Sequence, residues 1–315
     1  MRTKEQFLMF WMLGGMMLAG LTACSGDDDT ATNGSAPQPA DDDVKVRRLT
    51  ITEADGGAAG RQALTRASLV EEDGLTAKWT AGDGLTYCNL SRMNQGDSGA
   101  PYSGGLTAVS TAATSQFTGD VTCQKGDYLA VVYPATTFGT NSQYTITLSG
   151  QDGTLAGLAA NYHYVYGKAY VTSVTDATAN ATMLKMKSLL TVCKFSFVNK
   201  DGGNAIHVKE LKISYGGTGS DENTYPQTAT VAIGVNMEQG AVHAIGETGS
   251  SALTVTCTPA QEAVYAALLP TAKARTFRFN VSDDSGKTYT GSAKATLVEG
   301  EYVAAMGLKL TLKQD

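Results

Sequence analysis

Cys24 is the residue whose neighbours most clearly set up a covalent reaction. It closes the run Leu21-Thr22-Ala23-Cys24, in which small residues end an apolar segment and leave a thiol at a cleavage point. Arg2 and Lys4 supply a basic start, and Phe7 to Leu18 is apolar but too short for a comfortable membrane span. That order reads as a lipoprotein export address, with the chain cut before Cys24 and lipid attached to it. The alternative is a plain secretory signal with an incidental cysteine. It has to treat the meeting of small residue, Ala and Cys at the end of the apolar run as chance.

The other reactive side chains are scattered. His163, His207 and His243 stand alone, without cysteine or carboxylate at metal-ligand spacing, so no metal site is expected. Gly286-Lys287-Thr288 ends like a phosphate-binding loop, but the glycine required five residues earlier is Val281. No Gly-x-Ser-x-Gly elbow is present. Asp283 and Asp284, and likewise Glu71 and Glu72, sit beside turn residues and are expected to be solvated. No enzyme and no cofactor is expected.

Four further cysteines, Cys88, Cys123, Cys193 and Cys257, would meet an oxidising compartment after export, and two disulfides allow three connectivities. One bridge in each half, Cys88 to Cys123 and Cys193 to Cys257, respects a division of the chain into two domains. Buried free thiols are the alternative, above all for Cys193 and Cys257. The first alternates in phase with Phe195 and Phe197, the second with Leu253 and Val255.

The elements that must carry these residues are strands. The acidic run Asp27-Asp28-Asp29 and the Ala, Thr, Pro, Gly, Ser and Asp residues up to Asp43 cannot bury enough surface to fold, so they form a tether. The remaining length suits two domains. With 35 glycines, 7 prolines and recurrent Thr, Val, Tyr and Ala in short alternating runs, the chain reads as all-β with many turns. A formal net charge of −6, with both signs interspersed, offers no basic stripe for nucleic acid.

Strands are expected at Val44–Thr52, Thr76–Trp79, Leu85–Asn89, Gln116–Val121, Tyr128–Tyr133, Tyr144–Ser149 and His163–Val171. From Met186 onward they are expected at Leu189–Val198, Ile206–Ser214, Ala229–Val235, Ala252–Cys257, Tyr265–Leu269, Thr276–Val281, Lys287–Ala293 and Tyr302–Leu312. Asp283-Asp284-Ser285-Gly286 is expected to turn a hairpin. In the first strand Val44 and Val46 share one parity and Leu49 and Ile51 the other, which a bulge would reconcile. After it comes a glycine-rich stretch, Gly56 to Arg66, with Arg61 and Arg66 where a protease could reach the backbone.

In the last strand Tyr302, Ala304, Met306, Leu308, Leu310 and Leu312 share one parity, and Lys309, Thr311 and Lys313 take the other. Burying large apolar side chains of this kind is worth roughly 1.5–3 kcal/mol each before ordering costs. Such a strand must lie in a groove, either its own domain's or a neighbour's.

Several pieces, in this order, carry a family likeness: the lipobox with its Asp run, Leu64-Thr65-Arg66-Ala67-Ser68-Leu69, Trp79-Thr80-Ala81-Gly82-Asp83 and Tyr128-Leu129-Ala130-Val131-Val132-Tyr133-Pro134. Leu189-Leu190-Thr191-Val192, Leu269-Pro270 and Gly300-Glu301-Tyr302 continue it. Together they resemble the fimbrillin family, the lipoprotein pilins and related surface proteins of Bacteroidota. The acidic run after Cys24 is similar to the signal that sends such lipoproteins to the outer face of the outer membrane.

That resemblance implies two tandem transthyretin-like β-sandwich domains, 44–185 and 186–315, after a signal peptide at 1–23 and a tether at 24–43. It implies that an arginine-specific protease cuts between Arg66 and Ala67, or at Arg61, and releases a strand containing Val46, Leu49 and Ile51. The donor strand of another subunit, with Tyr302, Met306, Leu308, Leu310 and Leu312, would fill the groove. The implied partners are other fimbrial subunits, membrane lipid at Cys24 and a ligand on a host or bacterial surface. A surface glycan-binding lipoprotein is the alternative, with Trp79, Tyr87, Tyr102, Tyr162, Tyr164 and Tyr166 as candidate platforms. An aromatic core face is the competing reading of the last three.

Overall fold

The computed structural model describes residues 43–53, 68–71, 75–93, 102–139, 142–183, 186–215, 224–233, 241–243 and 251–313. The first half supplies β1 (Lys45–Glu53), β2 (Ser68–Glu71), β3 (Leu75–Lys78), β4 (Gly84–Asn89), β5 (Ser103–Ala108), β6 (Phe117–Cys123) and β7 (Tyr128–Tyr133). β8 (Gln143–Thr147), β9 (Val165–Val174), β10 (Thr178–Met183) and β11 (Lys187–Ser188) complete it. The second half supplies β12 (Thr191–Asn199), β13 (Val208–Ser214), β14 (Thr228–Ala232), β15 (Ala241–His243) and β16 (Leu253–Gln261). It continues with β17 (Val264–Leu268), β18 (Arg275–Asp283), β19 (Thr288–Ala295) and β20 (Tyr302–Leu312). Two short helices, α1 (Leu90–Met93) and α2 (Leu155–Asn161), interrupt the strands.

The first sheet runs β10-β1-β6-β5-β4-β7-β9-β11, and β10 also pairs with β9. That extra pairing closes seven of the strands into a ring. Period-two alternation then sends one residue in two to the inside. Leu49 and Ile51 of β1, Leu85 and Tyr87 of β4, Phe117 and Val121 of β6, Leu129 and Val131 of β7 and Ala179 and Ala181 of β10 all meet in one buried cluster with Trp79. Trp79 packs edge-on against Phe117 and Tyr133, with ring centroids 4.9 and 5.5 Å away. β10 escapes a search for large apolar alternation because its inward residues are mostly alanines. β5 escapes because Gly104 and Gly105 dilute it. Gly119 is required where β6 passes β5, since a Cβ there would stand 2.5 Å from the Gly105 carbonyl oxygen.

The second sheet runs β16-β13-β18-β19-β20-β12-β17 and does not close on itself. A segment of the first half seals its two edges. Gln151 bridges to Val255 on β16, and Thr256 N–H donates to the Gln151 carbonyl at 3.0 Å. The same residue's side chain acts as a strand partner for β17: Ala267 N–H donates to Oε1 at 2.7 Å and Nε2 donates to the Ala267 carbonyl at 3.0 Å. Gly153, at φ +75°, follows closely, and a Cβ there would meet Cys257 Sγ at 2.6 Å. Covering unpaired edges in this way protects them from pairing with other chains. β8 likewise leaves the first half and pairs with β14, which pairs with β15 in a third, three-stranded sheet. α2 starts where Thr154 Oγ1 accepts the Gly157 N–H at 2.8 Å, an N-cap that ends the extended run.

The expected hairpin at Asp283-Asp284-Ser285-Gly286 joins β18 to β19, with Gly286 at φ +84°. Asp283, expected to be solvated, is instead buried, because its carboxylate organises the turn. Oδ1 accepts Ser285 Oγ and Lys287 N–H, each at 2.8 Å, and Oδ2 accepts the Tyr289 hydroxyl at 3.1 Å. Burial alone would raise its pKa, but these hydrogen bonds together hold the carboxyl below its ordinary value. A depressed folded pKa stabilises the fold above the unfolded value and loses that contribution as the pH falls through the folded one. Asp283→Asn is therefore expected to cost about 1–2 kcal/mol at neutral pH. Urea melts from pH 7 downward should show the gap to the unmodified chain closing below the ordinary carboxylate range.

Candidate functional site

β1 occupies a slot with two unlike neighbours. It pairs antiparallel with β6 from Lys45↔Cys123 to Ile51↔Phe117, and parallel with β10 from Arg48↔Thr178 to Glu53↔Met183. Both registers run unbroken, so the bulge expected in this strand is absent. The parity conflict is resolved by composition instead: Val46 faces out at 64% exposure, and Arg47, Leu49 and Ile51 take the inward positions. Leu49 and Ile51 are fully buried.

Arg47 stands at the mouth of the ring with its guanidinium bonded to main chain. Nε donates to the Thr175 carbonyl at 2.6 Å, and Nη1 donates to the carbonyls of Asp43, at 3.0 Å, and Cys123. A buried charge is tolerable when it is hydrogen-bonded in place. These bonds tie the start of β1 to the ends of β6 and β9. Outside the ring, Arg48 meets Asp120 and Lys45 meets Asp176, each at 3.3 Å, as exposed ion pairs of small individual worth.

β20 fills a slot of the same kind, parallel to β12 on one side and antiparallel to β19 on the other. The two sides are unequal. The β12 ladder runs from Tyr302 to Leu310, whereas the β19 ladder covers only Thr311 and Leu312. Ahead of the strand, Thr191 Oγ1 donates to the Val298 carbonyl at 2.7 Å and Gly300 N–H donates to the Leu190 carbonyl at 3.1 Å.

The expected single apolar face of β20 is broken. Phe195 pairs with Ala305 and Phe197 with Leu308, so β20 spends one extra residue there. Gly307 adopts φ +66° in the bulge, and its N–H donates to Ser196 Oγ at 2.8 Å. Leu310 is buried and Tyr302, Leu308 and Leu312 pack against the core, but Met306 is 54% exposed and Ala304 is exposed as well. Val303 and Ala305 replace them on the core side.

All four described cysteines are buried free thiols. Cys88 and Cys123 do not meet because β4 and β6 send them to opposite faces of the first sheet: Cys123 lies inside the ring with Val121, Cys88 outside it with Leu90 and Ala130. Cys193 and Cys257 share the larger cluster with Phe195, Phe197 and Val255. Burial pushes Cys88, Cys123 and Cys257 up to about 11 and Cys193 to about 12, with Arg47 partly offsetting the shift at Cys123. Thiols so raised stay protonated at neutral pH and are poor nucleophiles.

Of the aromatic residues considered as glycan platforms, Trp79, Tyr87, Tyr164 and Tyr166 are buried, and Tyr162 packs against the core at the end of α2. The core-face reading holds for Tyr164 and Tyr166. Tyr102 is half-buried. The exposed aromatic pair is another one. Tyr128 on β7 and Tyr170 on β9 pair across strands at 39% and 43% exposure, with ring centroids 5.1 Å apart. Their strands alternate with core residues, which hides in the sequence that these two positions lie beyond the edge of the core. His163 is buried, and His207 Nε2 lies 3.4 Å from Glu262 on the surface. Among the described residues no three His, Cys, Asp or Glu side chains cluster as metal ligands. Cys24, Arg61, Arg66 and Ala67 lie outside the described residues.

No protein-family model matches this sequence, and neither does any curated protein. Among solved structures, a proposed cell adhesion protein from Bacteroides uniformis aligns with a TM-score of 0.51 at 14% identity, over 88% of this chain and 98% of that one. The two share a fold. A proposed cell adhesion protein from Bacteroides eggerthii aligns at 0.38 and 12% identity, over 84% of this chain and 88% of that one. The shaft pilin SpaA of Lactobacillus rhamnosus GG aligns at 0.32 and 9%, over 86% of this chain and 99% of that one. These last two scores are too low to carry a structural argument.

The β1 slot predicts a contrast between neighbouring positions. Leu49→Ala should lower the unfolding free energy by about 2–5 kcal/mol, the cost of a buried cavity. Val46→Ala, three residues earlier, should stay within about 0.5 kcal/mol because its side chain already faces out. Denaturant titration of the two variants checks both.

Proposed function

We propose that this chain is a structural or adhesive subunit of a surface fimbria, exported as an outer-membrane lipoprotein through Cys24 and assembled by protease-triggered strand exchange. One observation carries the reading. β1 is a whole stave of a closed ring, it lies at the N-terminal end of the described chain, and Arg61 and Arg66 follow it before β2 begins. A single cut after Arg66 would sever it from everything downstream.

Loss of β1 would strip partners from β6 and β10 and uncover the positions of Leu49 and Ile51. Two open strand edges around an apolar groove bind an extended segment strongly, because main-chain hydrogen bonds and alternate side chains act together. β20 has the required length and side-chain chemistry, and it is paired along most of its length on one side only. The proposed domains 44–185 and 186–315 meet near the change from the first sheet to the second, although β11, just past that boundary, still pairs with β9 of the first sheet.

The decisive experiment treats purified precursor with an arginine-specific protease and follows intact mass and gel mobility with and without boiling. A product starting at Ala67, forming ladders that collapse on boiling, is expected. Arg66→Ala should abolish both, and an Arg66→Ala chain that is processed and laddered like the unmodified one would sink the cleavage assignment.

A second reading, a surface glycan-binding lipoprotein, is favoured by the exposed Tyr128–Tyr170 pair. Lys168 Nζ sits 5.6 Å from the Tyr128 ring centroid, so the pair combines apolar ring surface with a cation and hydroxyls. On this reading Tyr170→Ala lowers oligosaccharide affinity about tenfold, a loss of roughly 1.4 kcal/mol measured by calorimetry against a glycan panel. Equal binding by the variant would remove the platform.

A further inference from the structure

We propose that the cleft between residues 136–139 and the outer face of β8 and β14 is a binding site for a neutral saccharide. The inference stands on that cleft alone and needs neither strand exchange nor the Tyr128–Tyr170 pair.

The cleft exists because β8 leaves the first sheet. It pairs with β14 instead, Thr145 lying opposite Thr230, so both halves of the chain line one cavity. Ligand sites favour such junctions, and the volume of about 480 Å³ is in the range of small-molecule pockets.

Period-two alternation decides what faces it. Along β8, Tyr144 and Ile146 are buried while Gln143 and Thr145 are exposed. Cross-strand pairing puts the half-buried Thr230 beside Thr145 on that same face. Thr136 and Thr137 line the opposite wall. Phe138 and Tyr144, both buried and packed edge-on at a centroid distance of 5.4 Å, form the floor.

The loop wall is held in place before any ligand arrives. Thr86 Oγ1 donates to the Thr136 carbonyl at 2.8 Å and accepts the Thr136 N–H at 2.9 Å. Gly139 N–H donates to the Gln143 carbonyl at 2.7 Å, which fixes the loop to the start of β8. A preformed wall spares a ligand the cost of ordering it.

Lining chemistry selects the ligand class. None of the described residues lining the cleft is charged, and its polar side chains are the Gln143 amide and the hydroxyls of Thr136, Thr137, Thr145 and Thr230. An anion entering here would give up water without gaining a cation, and an apolar molecule would strip water from the hydroxyls and replace none of its hydrogen bonds. A neutral sugar meets both demands. Each threonine hydroxyl can donate and accept, and the amide offers both functions on one group, so they match a ring of sugar hydroxyls. The sugar's C–H face suits the aromatic floor. Threonine and glutamine in alternation read in the sequence only as a strand, so this site becomes visible when β8 and β14 are paired.

Calorimetry on the full exported chain tests the proposal, with lactose, mannotriose, maltotriose and sialyllactose as probes. At least one neutral probe should bind, and sialyllactose should bind no tighter than lactose. Gln143→Ala, at an exposed position, is expected to keep the melting temperature within about 2 °C and to weaken the neutral probe about tenfold. Thr145→Val, which keeps the shape and removes the hydroxyl, should weaken it as well, whereas Tyr170→Ala should not. Absence of binding by every neutral probe at millimolar concentration would overturn the site. Equal binding by Gln143→Ala and Thr145→Val would overturn the assignment to this cleft, and loss through Tyr170→Ala alone would move saccharide binding to the Tyr128–Tyr170 pair. A preference for sialyllactose would overturn the neutral class. A chain that binds through the cleft yet never forms ladders would overturn the pilus reading and leave this inference standing.

Discussion

Backbone pairing on both sides of β1 is the constraint on which the first half of the molecule depends. A ring of strands has no edge only while every stave is present, and β1 supplies partners to β6 and β10 at once. Its main-chain groups and its two buried side chains, Leu49 and Ile51, act on the same slot, so they are gained or lost as one unit. Arg47 adds a third component, closing the mouth of the ring through carbonyls from three separate segments. A buried arginine that bonds only to main chain contributes to placing the strand more than to overall stability.

The second half solves the same edge problem differently. Its sheet stays open, and the side chain and backbone of Gln151 occupy both edges in place of another strand. The amide side chain suits this task because it carries a donor and an acceptor on one group, as a peptide unit does. β20 sits inside this sheet with full pairing to β12 and only terminal pairing to β19. The protein thus holds its first strand on both sides and its last strand chiefly on one.

The buried thiols fit that picture of a fold held by strand pairing and packing. Each lies in an apolar setting that keeps it protonated, and Cys88 and Cys123 are separated by the first sheet itself. Among the described residues the exposed large aromatic side chains are Tyr128 and Tyr170, while Tyr164 and Tyr166, which alternate clearly in sequence, went into the core. Exposure at a strand position depends on how far the covering layer extends, and one strand cannot report that.

Much of the architecture was determined by the sequence alone. Alternation located β1, β3, β4, β6 to β9, β12 to β14 and β16 to β20, and the Asp283 to Gly286 turn joined β18 to β19 as its residue types require. Strands made of small residues, β5 and β10, were not legible, because alanine and glycine carry little hydrophobic signal even when fully inside. Tertiary structure alone decided register. The sequence pattern calls for a bulge in β1 and a straight β20, whereas the folded chain has an unbroken β1 and a bulged β20. The reason is physical: parity along one strand says which residues prefer burial, but the neighbouring strands and their hydrogen bonds decide which of them obtain it. A ring mouth lined with carbonyls let Arg47 take an inward place, and the pairing with Phe195 and Phe197 moved Met306 out of one.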